Sequence, residues 1–141
     1  MSEPIVFISH FVVKEGRVDD LKHLSQEVTK RLKAEKPRTL VFLSYLNENG
    51  TRITFIHVFA DAEAMDLHFK GADERSRMAY EYVDANGWEI YGRPSMPALE
   101  TMRQAATSAG VTLSVQPAYL AGFLRASRAD GSPRPIGGGD R

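Results

Sequence analysis

Apolar residues recur with period two in the first, third and fourth stretches of this chain, and with period three to four between them. Ile5 to Val13 alternates, with Val6, Ile8, His10 and Val12 on one face and Ile5, Phe7, Ser9, Phe11 and Val13 on the other. From about Val18 to Ala34 the residues Val18, Leu21, Leu24, Val28 and Leu32 form a helical stripe, with His23 on the opposite, solvated side. Two β-rich runs follow, Leu40 to Leu46 and Ile53 to Phe59, separated by Asn49-Gly50. That dipeptide predicts a type I′ hairpin turn, with positive φ at both central residues. Counting outward pairs Tyr45 with Thr54 and Phe42 with His57. Leu40, Phe42, Ser44, Leu46, Ile53, Phe55, His57 and Phe59 then share one face. Val41, Leu43, Tyr45, Thr54, Ile56 and Val58 take the other.

Asp61 predicts the N-cap of a helix to Phe69, interrupted by Gly71, and a second helical segment follows from about Glu74 to Val83. Asn86-Gly87 predicts a turn, and Trp88 to Tyr91 a fourth strand. The order βαββαβ is a ferredoxin-like, split-βαβ plan of the α+β class, with strands one and three central and antiparallel. Beyond this unit (residues 1–94), Ser95 and Pro97 predict a helix to Ala109, stopped by Gly110. Val111 to Val115 reads as an edge strand ahead of Pro117. Residues 95–125 form this helix and strand extension, in which Tyr119 to Leu124 is apolar but carries no clear pattern. A flexible tail is expected over 126–141; Gly137, Gly138 and Gly139 follow no strand there and make no phosphate loop.

Both faces of the first three strands are apolar, whereas two helices cover only one. An apolar face of that size points to a homodimer packed through the sheet, with the C-terminal strand able to add to the partner's sheet edge. Composition narrows the partners further. Of 141 residues, Lys and Arg number 18 and Asp and Glu 18, so net charge is zero and no basic stripe argues for nucleic acid. No run is long enough to span a membrane, and no secretory signal is visible. With no cysteine, disulfides and thiol chemistry are excluded and a cytoplasmic location is expected.

Phe59-Ala-Asp-Ala-Glu-Ala-Met-Asp-Leu-His-Phe69, with Ala64 and His68 four apart, follows a strand, an amphipathic helix and a hairpin. Over residues 5–94 this arrangement resembles the antibiotic biosynthesis monooxygenase-like proteins. The resemblance implies a dimeric α+β barrel. It also implies cofactor-independent oxidation of an aromatic or quinol-type small molecule, without metal or organic cofactor, or else a non-catalytic binding or stress-response role. Haem-degrading relatives carry an Asn on strand one, a Trp in helix two and a His about ten residues later. This chain has Ser9, His68 and Met78 there, which disfavours haem degradation.

Cofactor-free oxidation requires a pocket that excludes water and a base that promotes loss of a phenolic proton. Neutral histidine suits that task. His10 and His57 lie near the middles of adjacent central strands and are the candidate bases, sharing one cavity if their side chains share a face. His68 is expected at the pocket entrance. A lone histidine on an apolar strand is more often a hydrogen-bonded core residue; two on neighbouring strands raise the case for chemistry.

Overall fold

The computed structural model describes residues 3–125. Its elements are β1 (Ile5–Val13), α1 (Val18–Glu35), β2 (Thr39–Leu46), β3 (Arg52–Phe59), α2 (Ala62–Phe69), α3 (Ala72–Ala79), β4 (Val83–Tyr91), α4 (Met96–Ala109) and β5 (Leu113–Gln116). They build one open sheet ordered β2-β3-β1-β4-β5. The first four strands are antiparallel with β1 and β3 at the centre, and β5 joins β4 in parallel. This is the α+β, ferredoxin-like βαββαβ plan, extended by a helix and a strand.

The hairpin register is as counted, with Tyr45 opposite Thr54 and Phe42 opposite His57. Its turn is not type I′. Only Gly50 has positive φ (70°), and its N–H donates to the Asn47 carbonyl at 3.1 Å. The Asn47 side chain governs the loop instead: Oδ1 accepts from the backbone N–H groups of Thr51 (2.9 Å) and Arg52 (3.0 Å). A side-chain acceptor that satisfies two backbone donors removes the need for a left-handed Asn49.

Two bulges change which residues face inward. Thr39, not Leu40, lies opposite Phe59, and the pairing resumes at Val41 opposite Val58. In β4, Phe11 faces Ala85 and His10 faces Gly87, so Asn86 is the extra residue. The predicted turn at Asn86-Gly87 is therefore a bulge inside a longer strand, with Gly87 at φ 124°. The second helical segment correspondingly stops at Ala79, and Val83 opens β4.

Ser9 stands opposite both Phe55 and Trp88, and Phe7 opposite both His57 and Ile90. These residues define an inner face. Phe59, Ile5, Met65 and Ile90 are fully buried there, with Trp88 and Ala106 of α4 in the same cluster. All four helices lie on this side. Within the chain the extension folds back on the domain: α4 packs beside Trp88, and β5 pairs with β4. Ser95 caps α4 through a bond from the Ala98 N–H, and Gly110 ends it in the left-handed conformation. The opposite, outer face carries Val6, Ile8, Ile56 and Val58 half-buried and Leu43 and Tyr45 exposed. No helix among the described residues is long and apolar enough to cross a membrane. The expected tail, 126–141, lies outside the described residues.

Asp61 fixes the start of α2. Its Oδ1 accepts from the Ala64 N–H at 2.8 Å while Arg38 pairs with the same carboxylate at 3.0 Å. Asp61→Ala should lower stability by about 1 kcal/mol through the lost cap, the half-exposed ion pair adding little. Urea unfolding checks this; an unchanged midpoint would show that the cap does not hold α2.

Candidate functional site

His57 and His68 meet on the inner face. β3 turns His57 inward between Phe7 and Phe42, its ring 4.9 Å and 5.1 Å from theirs. α2, started by Asp61 and ended before Gly71, brings His68 edge-on to His57 at 5.1 Å. Both are buried, at 6% and 2% exposure.

Each ring uses one nitrogen to hold itself. His57 Nδ1–H donates to the Phe7 carbonyl at 3.1 Å. That bond fixes the neutral tautomer, with a lone pair on Nε2. His68 Nδ1 is bonded to the Thr39 hydroxyl at 2.7 Å, a contact that exists because the β2 bulge turns Thr39 rather than Leu40 inward. Among the described residues neither Nε2 has a protein partner, yet no fully buried side-chain polar atom lacks one. Both Nε2 atoms therefore reach accessible space.

That space is a cavity of about 690 Å³ between the inner sheet face and the helices. Phe7, Phe42, Phe55, Phe69 and Trp88 line it, together with both histidines and Arg75. Its size suits a bicyclic aromatic molecule. A second hollow of about 420 Å³, between α1 and the β2–β3 edge, contains no histidine.

Burial sets the charge state of the pair. Loss of hydration pushes His57 down to about 4, against the Phe7 bond, which favours the charged ring. Loss of hydration also pushes His68 down to about 3, helped by His57, Arg75 and Lys36. Both rings are neutral at pH 7.

His10 belongs to a different environment. It stands opposite Thr54 on the outer face, so it does not share the cavity with His57. Its Nε2–H donates to Glu89 at 2.5 Å and its Nδ1 meets the Thr54 hydroxyl at 3.1 Å. The Tyr91 hydroxyl donates to the other Glu89 oxygen, and these two bonds, Tyr91's first, hold the carboxyl below its usual range. His68, expected at the entrance, is buried beside His57. His23 is exposed on α1.

The sequence pattern did not single out Thr39 or Arg75. Thr39 precedes the regular alternation and faces inward only through the bulge. Arg75 lies in a charged helical stretch that reads as a solvated face. Among the described residues, no group of three or more His, Asp or Glu side chains is placed to hold a metal ion.

No protein-family model matches this chain, and no curated protein matches its sequence. Its fold does match solved structures. MupZ from Pseudomonas fluorescens superposes with a TM-score of 0.67 at 14% identity, over 88% of this chain and 97% of MupZ. SnoaB from Streptomyces nogalater, a cofactor-independent oxygenase, gives 0.55 at 14% identity, over 68% of this chain and 99% of SnoaB. A candidate antibiotic biosynthesis monooxygenase from Bacteroides thetaiotaomicron gives 0.51 at 15%, over 57% and 80%. The chain has the fold of the antibiotic biosynthesis monooxygenase-like proteins.

Proposed function

We propose that this protein is a cofactor-independent monooxygenase acting on an aromatic or quinol-type small molecule bound between the inner sheet face and the helices. The observation that carries the reading is the accessible, unprotonated Nε2 of His57 inside an aromatic-lined cavity. A substrate hydroxyl placed there donates its proton to His57 Nε2, and the resulting anion passes an electron to dioxygen far more readily than the neutral phenol. In the overall reaction dioxygen is the oxidant and the substrate the reductant; one oxygen atom enters the substrate and the other leaves as water. The aromatic walls stack on the ring and exclude solvent. SnoaB, with the same fold, is a cofactor-independent oxygenase, which supports this reading at the level of architecture.

One observation favours a second reading, a binding module without catalysis. A base whose conjugate acid titrates at about 4 faces a free phenol near 10, a mismatch of about 8 kcal/mol. The oxygenase reading requires the anion itself to offset much of that by pairing with the new imidazolium. Oxygen uptake by the metal-stripped protein against a panel of dihydroquinones and polyphenols tests the choice. Protein-dependent uptake supports the oxygenase; Trp88 fluorescence changes on ligand addition without uptake support the binding module.

We also propose that the outer faces of two copies pack together as a homodimer, converting two open sheets into one barrel. The apolar centre of that face is formed by Ile8 and Ile56, which stand opposite one another. The wild-type chain should sediment at twice its chain mass. Ile8→Asp should sediment as a folded monomer, because it places a carboxylate in the middle of the interface. A wild-type monomer at micromolar concentration would overturn this arrangement.

A further inference from the structure

Arg75 projects from α3 into the wall of the cavity and is partly buried. Its Nη2 donates to the His68 carbonyl at 2.7 Å and its Nη1 reaches the Lys70 carbonyl at 3.4 Å. These carbonyls close the C-terminal end of α2, where Lys36 Nζ also donates, to Leu67 (2.8 Å) and Lys70 (3.0 Å). Helix capping therefore accounts for two of the five guanidinium N–H groups. Among the described residues no carboxylate lies within 4 Å of the Arg75 guanidinium; Glu35 favours its charge only from farther away, and Arg31 opposes it. The carboxylates that line the same cavity, Asp66 and Asp73, are exposed, and Asp66 accepts from Ser95 at 2.8 Å. The cavity thus offers aromatic walls, two neutral imidazoles and one partly buried guanidinium that no carboxylate bonds directly, Lys70 being exposed at its edge. A partly desolvated guanidinium is matched best by a carboxylate, which accepts two parallel N–H bonds.

We propose that Arg75 is the anion-binding residue of this cavity and that its ligand is an aromatic acid, held with its carboxylate on Arg75 and its ring hydroxyl towards His57. This assignment rests on the cavity being the substrate site. It deepens that reading by naming the group that orients the ring. The positive field of Arg75 already acts across the cavity, since it helps to keep both imidazoles unprotonated.

Calorimetric titration with 6-hydroxy-2-naphthoate and its neutral analogue 6-hydroxy-2-naphthamide tests the assignment. The wild-type protein should bind the acid about tenfold or more tightly than the amide, as a charge-assisted pair implies. Arg75→Gln should erase that preference by weakening the acid alone, and Arg75→Lys should restore part of it. Thermal unfolding of each variant separates lost helix capping from lost recognition. Equal affinity for acid and amide in the wild type, or equal weakening of both in Arg75→Gln, would overturn the assignment while leaving the cavity an aromatic site. Binding of neither probe at millimolar concentration would overturn the aromatic site itself, and this assignment with it.

Discussion

His57→Ala should lower protein-dependent dihydroquinone oxidation by about 10²- to 10⁴-fold, the range typical of a positioned general base. His10→Ala should leave it within about a factor of two. The contrast follows from the sheet faces: His57 opens into the cavity, and His10 is bonded to Glu89 and Thr54 on the other side. Truncating His57 also removes the side-chain donor to the Phe7 carbonyl, so circular dichroism and sedimentation must first show a folded protein of unchanged association state. His57→Gln is the companion variant, because its amide can still donate to that carbonyl but cannot take a proton. Loss in both His57 variants with retention in His10→Ala identifies the base. Loss in His10→Ala alone, with association intact, would move the chemistry to the outer face.

Acidification should destabilise the fold well before carboxylates titrate. His57 and His68 have folded values of about 4 and about 3, below the ordinary 6.5. The unfolded chain therefore binds more protons between roughly pH 6.5 and those values, and stability rises with pH across that window. It is fully present above about pH 6.5 and falls as the pH drops. Between pH 7 and pH 5 each ring contributes about 2 kcal/mol of loss, about 4 kcal/mol together, against a typical total of about 5–15 kcal/mol. The depressed Glu89 carboxyl also favours the fold at higher pH, but it acts only below its ordinary value of 4.5. The interval from pH 5 to 7 thus isolates the imidazoles. Urea midpoints at the two pH values measure the effect, and His57→Phe should remove about half of it. Equal stability at pH 5 and pH 7 would show that the rings are not held neutral. The two expectations are linked: activity lost on mild acidification should follow unfolding, because His57 remains an unprotonated base while the fold persists.

The hairpin count placed Phe42 opposite His57 because a turn fixes register over a short distance, even though Asn47 rather than a left-handed Asn49 built the turn. Asp61 and Ser95 announced their helices because a capping side chain acts within three residues. The relation between His10 and His57 was not legible. No turn joins β1 to β3, and both faces of each strand are apolar, so alternation sorts the residues into two sets without saying which set of one strand meets which of the other. The long β4 was hidden for a related reason: Asn86-Gly87 carries turn chemistry, and only the pairing partners on β1 reveal it as a bulge. Thr39 acquires its place through the bulge in β2 and Arg75 through the packing of α3, both of which are tertiary.

The extra residue in β4 sets the electrical character of the cavity. Counted from Ala85 without a skipped position, regular alternation would turn Glu89 inward, opposite Phe7, and Trp88 outward. A carboxylate would then stand beside the two imidazoles, favouring their protonation and repelling an acidic ligand, while the indole faced the outer side of the sheet. With Asn86 left unpaired, the indole lines the cavity and the carboxylate lies outside it. The length of one strand, by a single residue, decides whether Trp88 or Glu89 lines the cavity, without changing the identity of either.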